Sequence, residues 1–178
     1  MKRAVAVALV ALFVFSTALL AQAPQMPTPG PEHKRLGYFA GTWTGEADMK
    51  ESPFGPAGKV TSTEHNEWFS GGFFLVLHSK VKGAMGEVNG LSLMGYNAEE
   101  RVYTYYAANS AGMAELARGT LVGDTWNWTS EAKMGGKLTK SRFVIKELSP
   151  TSYTFKWDIS ADGQTWSTIM EGTSTKVK

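Results

Sequence analysis

The sequence contains no cysteine. Disulfide bonds, Cys-ligated zinc, iron–sulfur clusters and thiol nucleophiles are therefore excluded, and the fold must be stabilised by its core alone. The chain has only 3 histidines, and neither a His-x-Glu-x-x-His motif nor a paired-His strand joins them. We predict no metal site and no bound cofactor.

The sequence also lacks a large excess of charge of one sign. Its 18 Lys and Arg residues oppose 16 Asp and Glu residues, and Lys2 and Arg3 lie in an N-terminal segment that we expect to be removed. The mature chain is then close to neutral, and it has no local run of basic residues. Because nucleic acid is held by a concentrated basic face, we expect no nucleic-acid partner.

The N-terminal segment is typical of an exported protein. Lys2 and Arg3 precede an apolar run from Ala4 to Leu20, and Ala21-Gln22-Ala23 has the small-x-small form of a cleavage site. We predict a signal peptide over residues 1–23, cleaved after Ala23 or Ala21, and a periplasmic or secreted mature chain without a membrane span. A retained anchor is the alternative, because a run of about 17 apolar residues is just long enough to span a bilayer.

The remainder of the chain divides into a tether and one domain. Residues 24–32 are rich in proline, which indicates an extended tether, and the folded domain is expected over residues 33–178. A short helical turn is predicted from Glu32 to Phe39. After Gly41, segments rich in Thr, Val and aromatic residues alternate with turn residues roughly every 8 to 12 positions. This spacing predicts about ten strands, near residues 43–50, 60–69, 73–82, 89–96, 101–108, 113–122, 125–132, 137–148, 152–160 and 164–174.

Strands joined by successive hairpins favour an all-β fold, a single antiparallel up-and-down barrel, because closure removes exposed sheet edges. Alternation along a strand indicates which side chains point inward. It places Trp43 on the inner face of the first strand and His78 on the outer face of the third. Further residues predicted to point inward are Phe73, Leu75, Leu77, Tyr153, Phe155 and Trp157. The phase of segments 101–108 and 125–132 stays open.

The segment from Leu36 to Gly45, Leu-Gly-Tyr-Phe-Ala-Gly-Thr-Trp-Thr-Gly, carries a resemblance to known proteins. A helical turn that leads into Gly-x-Trp resembles the opening of lipocalins and their calycin relatives, in which the Trp closes the base of the barrel. Together with segments 93–97, 101–103 and 166–171, it makes residues 33–178 resemble the bacterial family known as domain of unknown function 1579. The resemblance implies a lipocalin-like barrel with a small-molecule cavity, and it brings no activity.

A related barrel family, the nitrobindins, has a similar Gly-x-Trp-x-Gly opening. Its members bind haem through a histidine near the C-terminal end of the barrel. The last histidine of this sequence is His78, and the C-terminal strands contain none. The resemblance to nitrobindins therefore does not extend to haem binding.

Arg118 is the charged residue that bears most directly on a ligand. In the segment 114–122 it shares a face with Leu116 and Val122, which predicts that it points into the barrel. A buried guanidinium needs a partner, and the carboxylate or phosphate of an amphiphile could accept two parallel hydrogen bonds from it. A pair with Glu, a stack on Trp or the opposite strand phase are the alternatives. Arg142 is a second candidate, against which the neighbouring Phe143 argues.

These observations favour a binding protein whose lumen holds a small hydrophobic or anionic amphipathic molecule. Trp43 closes the base in this interpretation, Arg118 binds the anionic group, and the predicted wall residues are Phe73, Leu75, Leu77, Leu116, Tyr153, Phe155 and Trp157. One alternative is a barrel filled by its own side chains that acts through its surface. An enzyme at the open end is another, but no catalytic residue is assigned, because the candidate carboxylates Glu64, Glu67 and Glu171 cannot be placed relative to one another. The oligomeric state stays open.

Overall fold

The computed structural model describes residues 26–134 and 136–177, and the predicted signal peptide, residues 1–23, lies outside these ranges. A short helix α1 (Pro31–Arg35) continues into a 3-10 turn (Leu36–Phe39). Ten strands follow: β1 (Gly41–Met49), β2 (Gly58–Trp68), β3 (Phe74–Gly83), β4 (Gly86–Asn97), β5 (Val102–Asn109), β6 (Ala114–Val122), β7 (Thr125–Met134), β8 (Lys137–Ser149), β9 (Ser152–Ser160) and β10 (Ser167–Lys176). Within the described ranges, no helix combines the length and the apolar character needed to traverse a bilayer.

The strands form one closed antiparallel barrel. Each strand pairs with its neighbours in sequence, and β1 also pairs with β10, where Trp43 lies opposite Lys176. Closure leaves the ten described strands without an unpaired sheet edge along which another strand could add. The prediction of an all-β, up-and-down barrel of ten strands with a short N-terminal helical turn is confirmed.

The two ends of the barrel differ in construction. Residues 31–39, which we call the helical plug, precede β1 and lie at the end where β1 begins. Because the strands alternate in direction, the loops 69–73, 98–101, 123–124 and 150–151 lie at this same end. The loops 50–57, 84–85, 110–113 and 161–166 lie at the opposite end, which we call the mouth.

The helical plug is held by hydrogen bonds with the strands. Trp43 Nε1 donates a 2.9 Å hydrogen bond to the carbonyl oxygen of Phe39. Arg35 donates to Glu147 Oε1 over 2.6 Å, and Trp126 Nε1 donates to the same oxygen over 2.7 Å. The residues that are fully buried in the core are Trp43, Trp126, Leu36 and Leu75. Leu36 of the plug and Trp43 and Trp126 of the barrel are thus fully buried in one hydrophobic cluster.

One inward-facing glycine is required by close packing. A Cβ atom on Gly119 of β6 would lie 2.5 Å from Cε3 of Trp128 on the neighbouring strand. No side chain is tolerated at that separation without displacing the indole. Gly119 thus allows the Trp128 ring to lie across β6 inside the barrel.

Candidate functional site

The barrel encloses a cavity of about 260 Å³. Phe39 of the helical plug contributes to one end of it, and its wall comes from the inner faces of the strands. The apolar wall includes Leu77, Met94, Trp128, Phe143, Phe155 and Trp157. The volume is close to the lower limit of small-molecule sites, about 300 Å³. The interior of the barrel is therefore not filled by its own side chains.

The mouth is partly covered by the loop between β1 and β2. Phe54 of this loop packs on Trp157, and the two ring centroids are 4.5 Å apart. Trp157 is fixed in turn by a 2.6 Å hydrogen bond from its Nε1 to Ser141 Oγ. An aromatic pair thus borders the entrance to the cavity.

The charged side chains in the cavity wall are both acidic. They are Glu64 of β2 and Glu115 of β6, and within residues 26–134 and 136–177 no Lys, Arg or His contributes to this wall. Glu64 lies opposite Trp43 in the strand register, which places it toward the helical plug. Glu115 lies near the start of β6, at the mouth, and accepts a 2.6 Å hydrogen bond from Ser130 Oγ. The lumen therefore has one carboxyl group near its base and one near its entrance.

Glu64 is enclosed by the barrel, and the accessible part of its side chain faces the cavity. Burial raises the pKa of its carboxyl group, and a hydrogen bond with the Asn66 side chain opposes this only in part. The ion pairs formed by the described residues all involve other carboxylates. Among residues 26–134 and 136–177, Glu64 thus has no cation that would balance its charge.

Two tyrosines share the electrostatic environment of Glu64. Burial raises the pKa of Tyr105 to about 12; a hydrogen bond with Ser92 opposes the shift, and the negative charge of Glu64 adds to it. Burial, followed by the charge of Glu64, likewise raises the pKa of Tyr153. Both hydroxyl groups are neutral at physiological pH. They provide hydrogen-bonding groups but no positive charge.

Asn66, two residues beyond Glu64 on the same strand face, is 3% exposed. Its Nδ2 donates a 3.0 Å hydrogen bond to the Phe39 carbonyl. Its Oδ1 has no hydrogen-bond donor among the residues that the structure describes. Asn66 thus packs against the Phe39 carbonyl, outside the cavity wall to which Glu64 contributes.

Four of the predicted wall residues line the cavity: Leu77, Tyr153, Phe155 and Trp157. Trp43 is buried at the base, as expected for a residue that closes the barrel. Leu75 is fully buried in the core but outside the cavity wall.

Phe73 does not reach the lumen. It precedes β3 in the loop at the plug end and packs against the ring of His33, with centroids 5.0 Å apart. Phe73 precedes the first residue of β3, so it lies beyond the end of the barrel wall that Leu75 and Leu77 belong to. His33, which is 8% exposed, is thereby buried against the barrel.

The predicted orientation of β6 is wrong. Leu116 is 59% exposed, and Arg118 faces solvent, where it forms an ion pair with Glu100. The inner face of β6 carries Glu115 and Ala117 instead. Small and acidic residues border the empty space, whereas Leu116 lies on the outer surface.

Arg142, the second candidate for a lumenal cation, also points outward. It donates a 2.8 Å hydrogen bond to Asp158 Oδ2, and its guanidinium lies 4.4 Å from the centroid of the Trp166 ring. The adjacent Ser141 and Phe143 line the cavity. The orientation of β8 is therefore the one that Phe143 indicated, with Phe143 inside the barrel and Arg142 outside.

His65 and His78 are register partners on β2 and β3. His78 is exposed on the outer face, as predicted. In the described part of the chain, no group of three or more metal-ligating side chains is arranged to hold an ion.

The position of Glu64 in the cavity wall is not predictable from hydrophobic alternation. The segment from Thr61 to Glu67 is polar on both faces, so alternation of hydrophobicity gives no phase there. The register that sets Glu64 opposite Trp43 comes from the pairing of β1 with β2. The orientation of Glu64 can therefore be derived only from the register of β2 against β1.

Comparison with known proteins gives a family and a fold. A family model described as "Protein of unknown function (DUF1579)" matches residues 28–176. No curated protein has a significant match to the chain. The crystal structure of Rv2717c from M. tuberculosis is similar, with a TM-score of 0.58 and 13% sequence identity over 84% of this chain and 99% of that one.

A second similar structure is that of the S-type phycobiliprotein lyase CPES from Guillardia theta. Its TM-score is 0.57 at 12% identity, and the match covers 83% of this chain and 93% of the lyase chain. At such low identity, both likenesses establish a shared lipocalin-like barrel fold.

Proposed function

The chain belongs to the family of proteins of unknown function DUF1579, and from this premise we propose that its barrel binds a small, largely apolar molecule in the lumen. The observation that carries the proposal is the cavity of about 260 Å³ with its predominantly aromatic and aliphatic wall. Removing apolar surface from water contributes about 25 cal/mol per Å², so a ligand that fills this space gains affinity from burial alone. The few polar groups of the wall would orient it.

The architecture supports the same conclusion. The diameter of a barrel grows with strand number, and about eight strands already suffice to hold one small ligand. This barrel has ten. The lyase CPES has the same fold, and its name describes it as a phycobiliprotein lyase. Such an activity is compatible with a barrel that accommodates a ligand.

A titration tests the proposal directly. The full chain is titrated in a calorimeter with 1-naphthylmethanol, an uncharged bicyclic alcohol that matches an apolar cavity. We expect saturable binding with one site per chain. Absence of heat at two well-separated temperatures, up to the solubility limit of the alcohol, would contradict the proposal, because burial of apolar surface makes the binding enthalpy depend on temperature.

A matched pair of variants locates the binding. Ala117 lines the cavity, whereas Ala114 of the same strand is exposed. Ala117→Leu fills part of the lumen and should weaken binding at least about tenfold, because the added carbons occupy ligand space. Ala114→Leu adds the same atoms outside and should leave the affinity within about twofold.

We propose further that the mature chain is exported. The support is the order of Lys2 and Arg3, the apolar run 4–20 and the Ala21-Gln22-Ala23 segment. Native mass spectrometry of the protein from the periplasmic or secreted fraction of its own host tests both proposals at once. A chain starting at Gln22 or Pro24 supports export, and an added mass that is lost on denaturation identifies the natural ligand. A cytoplasmic chain that retains Met1 contradicts export.

A further inference from the structure

The charge distribution inside the lumen selects among apolar ligands. A cavity bounded by low-dielectric walls strengthens the field of any charge within it. Here the charged wall residues in the described ranges are two carboxyl groups, Glu64 and Glu115, and no basic side chain faces them. The field in the lumen therefore attracts cations and repels anions.

We propose that the lumen binds hydrophobic amines, an inference that rests on the proposed function. The ammonium group lies at Glu64 near the base, and the apolar body of the ligand is directed toward the mouth. Glu64 is the deeper of the two carboxyl groups, opposite Trp43 in the register. Glu115 lies at the mouth and already accepts a hydrogen bond from Ser130. Charge interactions at the mouth are weakened by water and salt, so the deep carboxyl group determines selectivity.

An unpaired carboxylate in an apolar cavity is energetically costly, because it has lost water without gaining a cation. The structure supplies no Lys, Arg or His to Glu64 from the described residues. A ligand ammonium restores the missing charge partner and forms a charge-assisted hydrogen bond. An anionic ligand would add a second negative charge to the same space.

The side chains that line the cavity together with Glu64 match an ammonium ion in one further respect. Aromatic faces in the wall, including Trp128 and Tyr105, attract a cation through their quadrupoles.

The test compares three ligands that share one ring system: 1-naphthylmethylamine, a cation at pH 7, the uncharged 1-naphthylmethanol, and 1-naphthoate, an anion. Each is titrated into the full chain by calorimetry at pH 7. We expect the amine to bind at least about tenfold more tightly than the alcohol, as a charge-assisted hydrogen bond predicts, and the anion to bind most weakly.

Two variants place the ammonium group. Glu64→Gln should reduce amine affinity at least about tenfold and leave alcohol affinity within about twofold, since it removes the charge and keeps the shape. Glu115→Gln should reduce amine affinity less. Loss of the amine preference in Glu115→Gln but not in Glu64→Gln would overturn the placement.

The outcomes separate this inference from the proposed function. Equal affinity for amine and alcohol in the unmodified chain overturns amine selectivity, while binding of the alcohol keeps the lumen as a ligand site. No binding of any of the three ligands overturns both. Because the three-ligand comparison uses the unmodified chain, the inference remains decidable even if Glu64→Gln does not fold.

Discussion

Trp43 and Asn66, on adjacent strands, donate hydrogen bonds to one acceptor, the carbonyl oxygen of Phe39, over 2.9 and 3.0 Å. This carbonyl ends the 3-10 turn of the helical plug. Two strands therefore fix the position of the residue whose side chain borders the base of the cavity. The Gly-x-Trp segment closes the barrel through this shared acceptor as well as through the bulk of the indole.

Trp43→Phe should lower the free energy of unfolding by about 2 to 3 kcal/mol, since it removes a buried hydrogen bond and part of a fully buried ring. Urea unfolding at pH 7 measures the loss. Trp68→Phe is the control, because Trp68 is 39% exposed and its substitution should cost less than about 1 kcal/mol. Equal losses in the two variants would contradict a special role for the shared carbonyl.

Glu64→Gln should alter stability in a pH-dependent manner. Burial raises the pKa of Glu64 in the folded chain, so above the ordinary Glu pKa the unfolded chain releases a proton that the folded chain retains. Stability then falls as pH rises from about 4 toward the folded pKa. The variant lacks this loss, so its stability should match that of the unmodified chain near pH 4 and exceed it at pH 7.

The titrating groups nearest Glu64 do not disturb this comparison. The hydroxyls of Tyr105 and Tyr153 stay neutral because their pKa values are raised by burial, and Glu115 is present in both proteins. Urea unfolding at pH 4, 5.5 and 7 gives the pH dependence. A stability difference that is constant over this range would show that the carboxyl group of Glu64 titrates alike in both states.

Arg142→Ala tests the buried carboxylate of Asp158, whose side chain is 4% exposed. Burial alone would raise the pKa of Asp158, but hydrogen bonds from Arg142 and Thr168 and the neighbouring positive charges outweigh it and hold the pKa below its ordinary value. The resulting stabilisation is present above the ordinary Asp pKa of about 4 and is lost as pH falls through the folded pKa.

We therefore expect Arg142→Ala to cost about 1 to 3 kcal/mol at pH 7, a range reduced for the 40% exposure of the Arg142 side chain, and less at pH 3. Lys59→Ala breaks an exposed ion pair with Asp48 and is the matched control, with an expected cost below about 0.5 kcal/mol. Thermal unfolding at both pH values distinguishes the two. A cost for Arg142→Ala that does not decrease at low pH would count against the ionised Asp158.

Arg118→Ala should leave ligand binding unchanged. Arg118 is exposed and pairs with Glu100 on the outer surface, so the variant should keep 1-naphthylmethanol affinity within about twofold and stability within about 0.5 kcal/mol. Calorimetric titration of Arg118→Ala and Ala117→Leu with the same alcohol compares the affinities of two variants at adjacent positions. A marked loss of affinity in Arg118→Ala would place a binding site on the outer face.

The sequence predicts strand phase where one face is uniformly apolar. In β9, Tyr153, Phe155 and Trp157 line the cavity as their alternation with polar residues indicates. In β6, by contrast, Leu116 and Arg118 face outward although the apolar residues of that strand predict the opposite orientation. A strand that borders a cavity has no need of large apolar side chains on its inner face, so hydrophobicity alone does not determine its phase.

The wrong orientation of β6 also gave the wrong sign for the predicted charge of the lumen. Placing Arg118 inside suggested an anionic ligand, whereas the observed wall carries Glu64 and Glu115. Glu64 lies in a segment that is polar on both faces, and its orientation follows from pairing with β1. The sequence therefore predicts the barrel and much of its aromatic wall, and the electrostatic character of the site depends on the register of two strands.

The pairing of β1 with β10 also has a kinetic consequence. Every other pairing in the barrel joins consecutive strands, whereas this one brings together Trp43 and Lys176 from distant parts of the chain. Loop closure over such a separation is entropically costly, so we expect the hairpins to form early and the ring of strands to close late in folding. Because the cavity exists only after this closure, a lumenal ligand should slow unfolding while leaving the folding rate nearly unchanged.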